Sequence, residues 1–113
     1  MSDCIFCKLA SKEIPTNVVY EDDKIFCFHD ADPQAPVHVL VIPKKHIACL
    51  DDVADEDHAL MGHIMCKIKE IAKILGLENG YRVVCNNGED AFQTVKHLHF
   101  HIIGKRKMTW PPG

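Results

Sequence analysis

The chain has 113 residues, 13 basic against 16 acidic, a net charge of −3 and 47% hydrophobic residues. This length supports one core, so residues 1–113 are expected to form a single domain with a C-terminal tail at about 105–113. The mildly acidic balance gives no footprint for nucleic acid or an anionic membrane, and no apolar run reaches the length of a membrane span.

The opening Met-Ser-Asp-Cys lacks the basic and apolar regions of a signal peptide, so a cytoplasmic location with reduced thiols is expected for the six cysteines. Residues 3–10 read as a short helix with Asp3 as N-cap, placing Cys4 and Cys7 one turn apart. Residues 17–21 and 24–29 are rich in β-branched and aromatic types around Asp22-Asp23, which predicts a hairpin. Asp30 to Pro36 is a loop by its prolines and aspartates. Residues 37–42, Val-His-Val-Leu-Val-Ile, predict a central strand ending at Pro43.

One long helix is expected over about 53–75, capped by Asp51 or Asp52, with Asp55, Glu56 and Asp57 favouring its N-terminal end. Leu60, Ile64, Ile68, Ile71 and Leu75 form its apolar stripe, and Gly76 is placed to cap its C-terminus. His58 and His63 ride on this helix as ordinary solvated or half-buried residues. Residues 81–85 predict a strand, broken by Asn86-Asn87-Gly88. Strands with one long helix between them, joined by connections mostly too short for parallel crossovers, point to an α+β fold with an antiparallel sheet. The single cysteines Cys27, Cys49, Cys66 and Cys85 lie in apolar surroundings, where a thiol packs as a small hydrophobe.

Two constellations carry chemistry. The first is His97-Leu98-His99-Phe100-His101-Ile102-Ile103. As a strand over 97–103, it puts three imidazoles on one face, roughly 6.5–7 Å apart, and apolar residues on the other. One histidine on a half-exposed strand means little. Three at strict alternation are harder to explain as a solvated face, because neighbouring imidazoles repel when charged, and point to metal, proton or phosphate chemistry. The second is Cys4-x-x-Cys7, a common half of a zinc site that two histidines elsewhere complete; its bland reading is two reduced helix cysteines.

The pattern His-φ-His-φ-His-φ-φ, with φ apolar, resembles the signature of the histidine triad (HIT) family. Further blocks carry the likeness: Phe28-His29-Asp30, Pro33 to Pro36, Val41 to His46, Gly80-Tyr81-Arg82, Gln93-Thr94-Val95 and the closing Trp110-Pro111-Pro112-Gly113. These look like the nucleotide-binding (Hint) branch. The resemblance implies a five-stranded antiparallel sheet with one long and one short N-terminal helix. It also implies binding of purine nucleoside monophosphates and hydrolysis of nucleoside phosphoramidates. His99 is then the nucleophile forming a nucleotidyl-imidazole, and His101 assists at phosphate and leaving group. Thr94, serine in many members, is the third catalytic position, its hydroxyl donating to a phosphate oxygen or to the leaving nitrogen, with Gln93 and Asn86 as further polar contacts. Asp30 holds the ribose diol, although an aspartate there is also a natural turn residue. Ile5, Phe6, Leu9 and Phe28 form the base pocket, for each of which core packing competes.

Members of this family that keep the cysteine pair are associated with structural zinc, here on Cys4, Cys7, His46 and His97. A catalytic cofactor is not expected. Small residues are common in the family where this chain has Ala91-Phe92, so Phe92 either crowds the phosphate loop or covers the leaving group, and Ala31 loosens the pocket. The resemblance further implies a homodimer with the long helix and the strand near Tyr81 in the contact, and the Trp110 tail reaching toward the partner's site. Two other functions fit the residues: a nucleotide-binding regulatory module with little turnover, and a zinc hydrolase holding a catalytic metal on His97, His99 and His101.

Overall fold

A computed structural model describes residues 3–113. Met1 and Ser2, the start of the Met-Ser-Asp-Cys segment read above, lie outside the described residues. Helix α1 spans Ile5–Ala10; strands β1, β2 and β3 span Val18–Glu21, Ile25–His29 and Val37–Pro43. Two 3-10 turns, Leu50–Asp52 and Asp55–Asp57, lead into helix α2 at His58–Ile74. Strands β4 and β5 cover Tyr81–Val84 and Phe100–Gly104. The five strands form one antiparallel sheet in the order β1-β2-β3-β5-β4.

The β1–β2 hairpin turns on Asp22, whose Oδ1 accepts from the Lys24 and Ile25 amides at 2.8 and 2.9 Å. An aspartate accepting from amides two and three residues ahead mimics a backbone turn. Strands β2 and β3 are apolar at successive positions because both their faces are covered. Ile25, Cys27, Val39 and Val41 join Ile64, Ile68, Ile71 and Ala72 of α2 in one cluster. Phe26, Phe28, Leu40 and Ile42 meet Phe6 of α1 in a second cluster on the opposite face. The helical stripe is therefore buried as its spacing predicts, with Leu60 and Leu75 half-buried at its ends. Each fully buried isoleucine contributes about 1.5–3 kcal/mol of apolar transfer.

Helix α2 ends in a Schellman motif. The Leu77 amide donates to the Ala72 carbonyl at 3.0 Å and the Gly76 amide to that of Lys73 at 3.1 Å. Gly76 has φ +72°, the left-handed geometry that makes glycine the favoured residue there.

Five expectations need correction. The α-helix begins at His58, not near 53. The Asp57 carboxylate folds back to accept from the Ala54 amide at 2.9 Å and takes Lys45 Nζ at 2.6 Å, which tightens the approach into a 3-10 turn. Asp51 and Asp52 lie in the earlier turn and cap nothing in α2. In α1 the cap is Cys4 rather than Asp3, its Sγ accepting from the Cys7 amide at 3.4 Å. Cys66 is exposed on α2 rather than packed.

The fifth correction concerns the histidine stretch. Its ladder starts at Phe100, so residues 97–99 lie outside the strand. Val41 pairs with Phe100, and two steps further the partner strand reaches Pro43, which has no N–H to offer. The Leu98 amide donates instead to Ile47 O at 2.6 Å. The alternation of faces survives: Leu98, Phe100 and Ile102 enter the α2 cluster.

No helix among the described residues is long and apolar enough to cross a membrane.

Candidate functional site

The sheet face opposite α2 gathers the histidines. Phe6 on α1 meets the His99 ring edge-on, centroids 5.1 Å apart at 90°, and also contacts His97 and Phe28. His99 and His101 rings are 5.1 Å apart. The three imidazoles of the stretch do not converge on one point, because each is oriented by a different neighbour.

His97 is fully buried, and its Nε2 lies 2.8 Å from Pro43 O. A carbonyl can only accept, so Nε2 carries the proton and Nδ1 presents a lone pair. That lone pair faces Cys4 Sγ at 3.4 Å, Cys7 Sγ at 3.6 Å and His46 Nδ1 at 3.2 Å. His46 Nδ1 lies 3.4 Å from Cys7 Sγ. Burial, then repulsion from His46 and His99, pushes the His97 imidazole down to about 4 against the pull of the Pro43 carbonyl, so it is a neutral donor. Burial and the neighbouring Cys4 push the Cys7 thiol up.

The four residues fit a structural metal. Ligands at zinc distances of about 2.0–2.3 Å in tetrahedral array sit roughly 3.3–3.8 Å from one another. The four donor atoms lie within 4.8 Å of each other, with the close pairs at 3.2–3.6 Å. The set is drawn from α1, the segment after β3 and the histidine stretch, so a bound ion would tie three chain segments together.

His99 is turned the other way. Its Nδ1 lies 2.7 Å from His97 O. By the same reasoning Nδ1 is the protonated nitrogen, and in the neutral ring the lone pair is on Nε2.

His101 is oriented by a residue that sequence reasoning overlooked. His38 of β3 is buried; its Nδ1 accepts from the Gln34 amide at 3.0 Å. The remaining proton sits on His38 Nε2, which lies 2.8 Å from His101 Nδ1 and 3.4 Å from Asp30 Oδ2. His38 therefore donates to His101 Nδ1, and neutral His101 carries its own proton on Nε2. Burial, with His99 and His38 alongside, pushes the His101 imidazole down to about 4, opposed by Asp30. The available signal for His38 was its place inside the most apolar run of the chain, since a polar side chain in a buried strand must have a partner.

The other expected residues are distributed around this face. Phe6 and Phe28 are buried in the α1-side cluster, Leu9 is half-buried against it, and Ile5 is 44% exposed. Asp30 is half-buried; its Oδ1 accepts from the Asp32 amide at 2.7 Å, the turn role, and its Oδ2 lies 3.4 Å from His38 Nε2. Gln93 is occupied by the loop itself. Its Oε1 accepts from the Gly88 amide at 3.0 Å, and its Nε2 donates to Ala48 O at 2.8 Å and Val95 O at 3.0 Å. Thr94 is exposed and Asn86 half-buried. Asn87 accepts from the Asp51 amide at 3.2 Å. His63 is half-buried on Asp22, and His58 is exposed.

The family model for the HIT domain matches residues 11–108 of this chain. An uncharacterized HIT-like protein of Synechocystis is 53% identical over 111 residues, 98% of this chain and 97% of its own. A solved HIT family hydrolase from Legionella pneumophila superposes with a TM-score of 0.96 at 51% identity, covering 98% of this chain and 100% of that one. A histidine triad nucleotide-binding protein from Candida albicans gives a TM-score of 0.85 at 37% identity, over 98% of this chain and 85% of that one.

Proposed function

The chain belongs to the HIT domain family, and within it we propose that this protein hydrolyses purine nucleoside 5′-phosphoramidates through a covalent nucleotidyl intermediate on His99. The observation that supports this most is the 2.7 Å contact between His99 Nδ1 and His97 O. It leaves Nε2 as the nucleophile and places a carbonyl to stabilise the positive charge that develops on the ring during attack.

The His99 Nε2–phosphorus bond forms as the phosphorus–amine bond breaks, and the departing nitrogen needs one proton. In the free protein His101 is neutral and has none to spare. The phosphoryl anion raises its proton affinity, so the charged form is populated when substrate is bound. The charged ring carries protons on both nitrogens, so His38 Nε2–H turns from Nδ1 to Asp30 Oδ2, 3.4 Å away, and His101 gives its Nε2–H to the leaving amine, becoming neutral with its remaining proton on Nδ1. Water next attacks phosphorus, its proton passes to His101, and the nucleoside monophosphate departs from a regenerated His99. Thr94 and Asn86 supply phosphate contacts. Gln93 acts by shaping the loop. Asp30 takes the ribose diol with its remaining acceptor capacity, and Ile5 and Leu9 over a floor of Phe6 and Phe28 take the purine.

Cys4, Cys7, His46 and His97 hold a structural zinc ion. When bound, the ion anchors α1, and its closed set of four protein ligands leaves no position for substrate. The separate orientations of His97, His99 and His101 argue against a catalytic ion shared by all three.

The working unit is a homodimer. β4 is an outer strand with Tyr81 and Val83 exposed, and α2 exposes Met65 and Ile74, an apolar surface suited to a second copy. Sedimentation giving a monomer at micromolar concentration would refute this. Six unpaired thiols fit a reducing, cytoplasmic setting.

The test is chemical trapping with a phosphorus-labelled nucleoside phosphoramidate, with and without chelator. An acid-labile adduct that survives chelation and is absent in a folded His99→Ala variant is expected. Turnover abolished by chelator with no adduct would favour a metallohydrolase. Tight nucleotide binding without turnover would favour a regulatory module.

A further inference from the structure

Phe92 is out of place by the usual rules of folding. Its φ is +63°, the left-handed region that a bulky L residue rarely enters and a glycine occupies freely. Its ring is 78% exposed and belongs to neither apolar cluster. The loop does not depend on that ring for its shape. Its bends are set by the Phe92 amide on Glu89 O at 2.9 Å, the Gln93 amide on Gly88 O at 3.0 Å, and the three bonds of the Gln93 side chain. The fold thus neither requires an aromatic residue at 92 nor gains packing from it. Backbone strain held in place by its surroundings, with no return in stability, is a recognised mark of a functional position.

The surroundings indicate what that position does. Phe92 lines an open cleft of about 490 Å³ together with Glu89, Gln93, Thr94 and Lys96. Thr94 is the phosphate contact proposed above, so a group leaving phosphorus on that side enters the cleft and meets the Phe92 ring. The volume falls within the range of small-molecule sites. Glu89 and Lys96 leave the cleft polar around one flat apolar surface.

We propose that Phe92 forms the wall of a leaving-group subsite that favours amines with an aromatic body over short alkylamines. The proposal rests on the hydrolase reading for what occupies the cleft, and its test is arranged to separate the two. An offset or edge-on aromatic contact strengthens binding about threefold to tenfold beyond simple area burial.

The decisive measurement is affinity for N-substituted nucleoside 5′-sulfamates, uncleavable isosteres of the phosphoramidate, carrying either a methyl or a 2-arylethyl group. The wild-type chain should bind the arylethyl compound about threefold to tenfold more tightly. Phe92→Gly, which suits the backbone, should bring the ratio of the two Kd values close to one, and Phe92→Tyr should preserve it. Equal affinities in the wild type, or a preference that survives Phe92→Gly, would overturn the proposal. Phosphoramidate turnover is followed on the same protein. Absent turnover with an intact arylethyl preference removes the hydrolase reading and keeps the subsite. Turnover without the preference does the reverse. If neither sulfamate binds and no turnover is seen, both fall.

Discussion

Replacing Asp22 by asparagine should destabilise the protein by about 2–3 kcal/mol at pH 7, the range for losing charge-assisted hydrogen bonds at a half-buried carboxylate. Four donors meet this one group. Oδ1 accepts from the Lys24 and Ile25 amides at 2.8 and 2.9 Å; Oδ2 accepts from the Tyr20 hydroxyl at 2.9 Å and His63 Nε2 at 2.7 Å. Burial alone would raise the carboxyl pKa, but the bonds from Lys24, His63, Ile25 and Tyr20 outweigh it and hold the group well below the usual carboxylate range. Asparagine keeps one acceptor oxygen for the two amides but loses the charge, and its NH2 group faces the Tyr20 hydroxyl and His63 Nε2, which must reverse their roles to accept from it, so all four bonds weaken. With an unfolding entropy of about 2.1 cal/mol/K per residue, 2–3 kcal/mol corresponds to a fall in Tm of roughly 8–12 °C. The pH dependence has a definite sign. A depressed native pKa stabilises fully above the unfolded value of about 3.9 and is lost as pH falls below it toward the native value. The penalty of Asp22→Asn should therefore shrink between about pH 5 and pH 2. Urea melts of both proteins across that range measure it. A penalty under about 0.5 kcal/mol at pH 7, or one that does not change with pH, would show that the His63 contact is incidental and that the hairpin–helix clamp carries little energy.

Purified protein should retain one zinc per chain. Cys7→Ser should lose it and melt roughly 10 °C lower, the value for removing a ligand present at about a hundredfold over its Kd; elemental analysis with calorimetry checks this, and metal-free wild type of equal Tm would refute it. Nitrogen-detected NMR of the free protein should find His101 neutral at pH 5.5, with its pKa rising on addition of a purine nucleoside monophosphate; a charged ring at pH 5.5 without ligand contradicts the burial argument. Phe92→Gly should be neutral to stabilising by about 1 kcal/mol, since relief of the left-handed conformation offsets the added chain entropy; a loss above that amount in urea unfolding would mean the ring packs. Gly104→Ala should cost about 1–3 kcal/mol, because its new Cβ would meet Leu77 Cδ2 at 2.6 Å in the core; an unchanged Tm would show that Leu77 can move aside.

How much of this was legible in the sequence differs between faces and atoms. Period-two alternation placed Leu98, Phe100 and Ile102 against α2 and the histidines opposite, and period 3.6 placed Ile64, Ile68 and Ile71 in the core. Periodicity reports direction only. It could not show that the ladder stops at Phe100, because the cause is Pro43 on the neighbouring strand. Nor could it show that Gln93 spends its amide on Ala48 and Val95, or that His38 meets His101 across 63 positions of sequence. Those facts decide the chemistry. Three imidazoles of one type and one spacing become an Nδ1 facing Cys4, Cys7 and His46, an Nε2 lone pair and a proton-bearing Nε2 because their other nitrogens face Pro43 O, His97 O and His38 Nε2. It follows that a carbonyl or a neighbouring ring, rather than the histidine itself, assigns each role. Exchanging His38 for a residue that cannot donate should therefore disturb His101 while leaving the orientation of His99 intact, since the carbonyl that fixes His99 belongs to a different part of the chain.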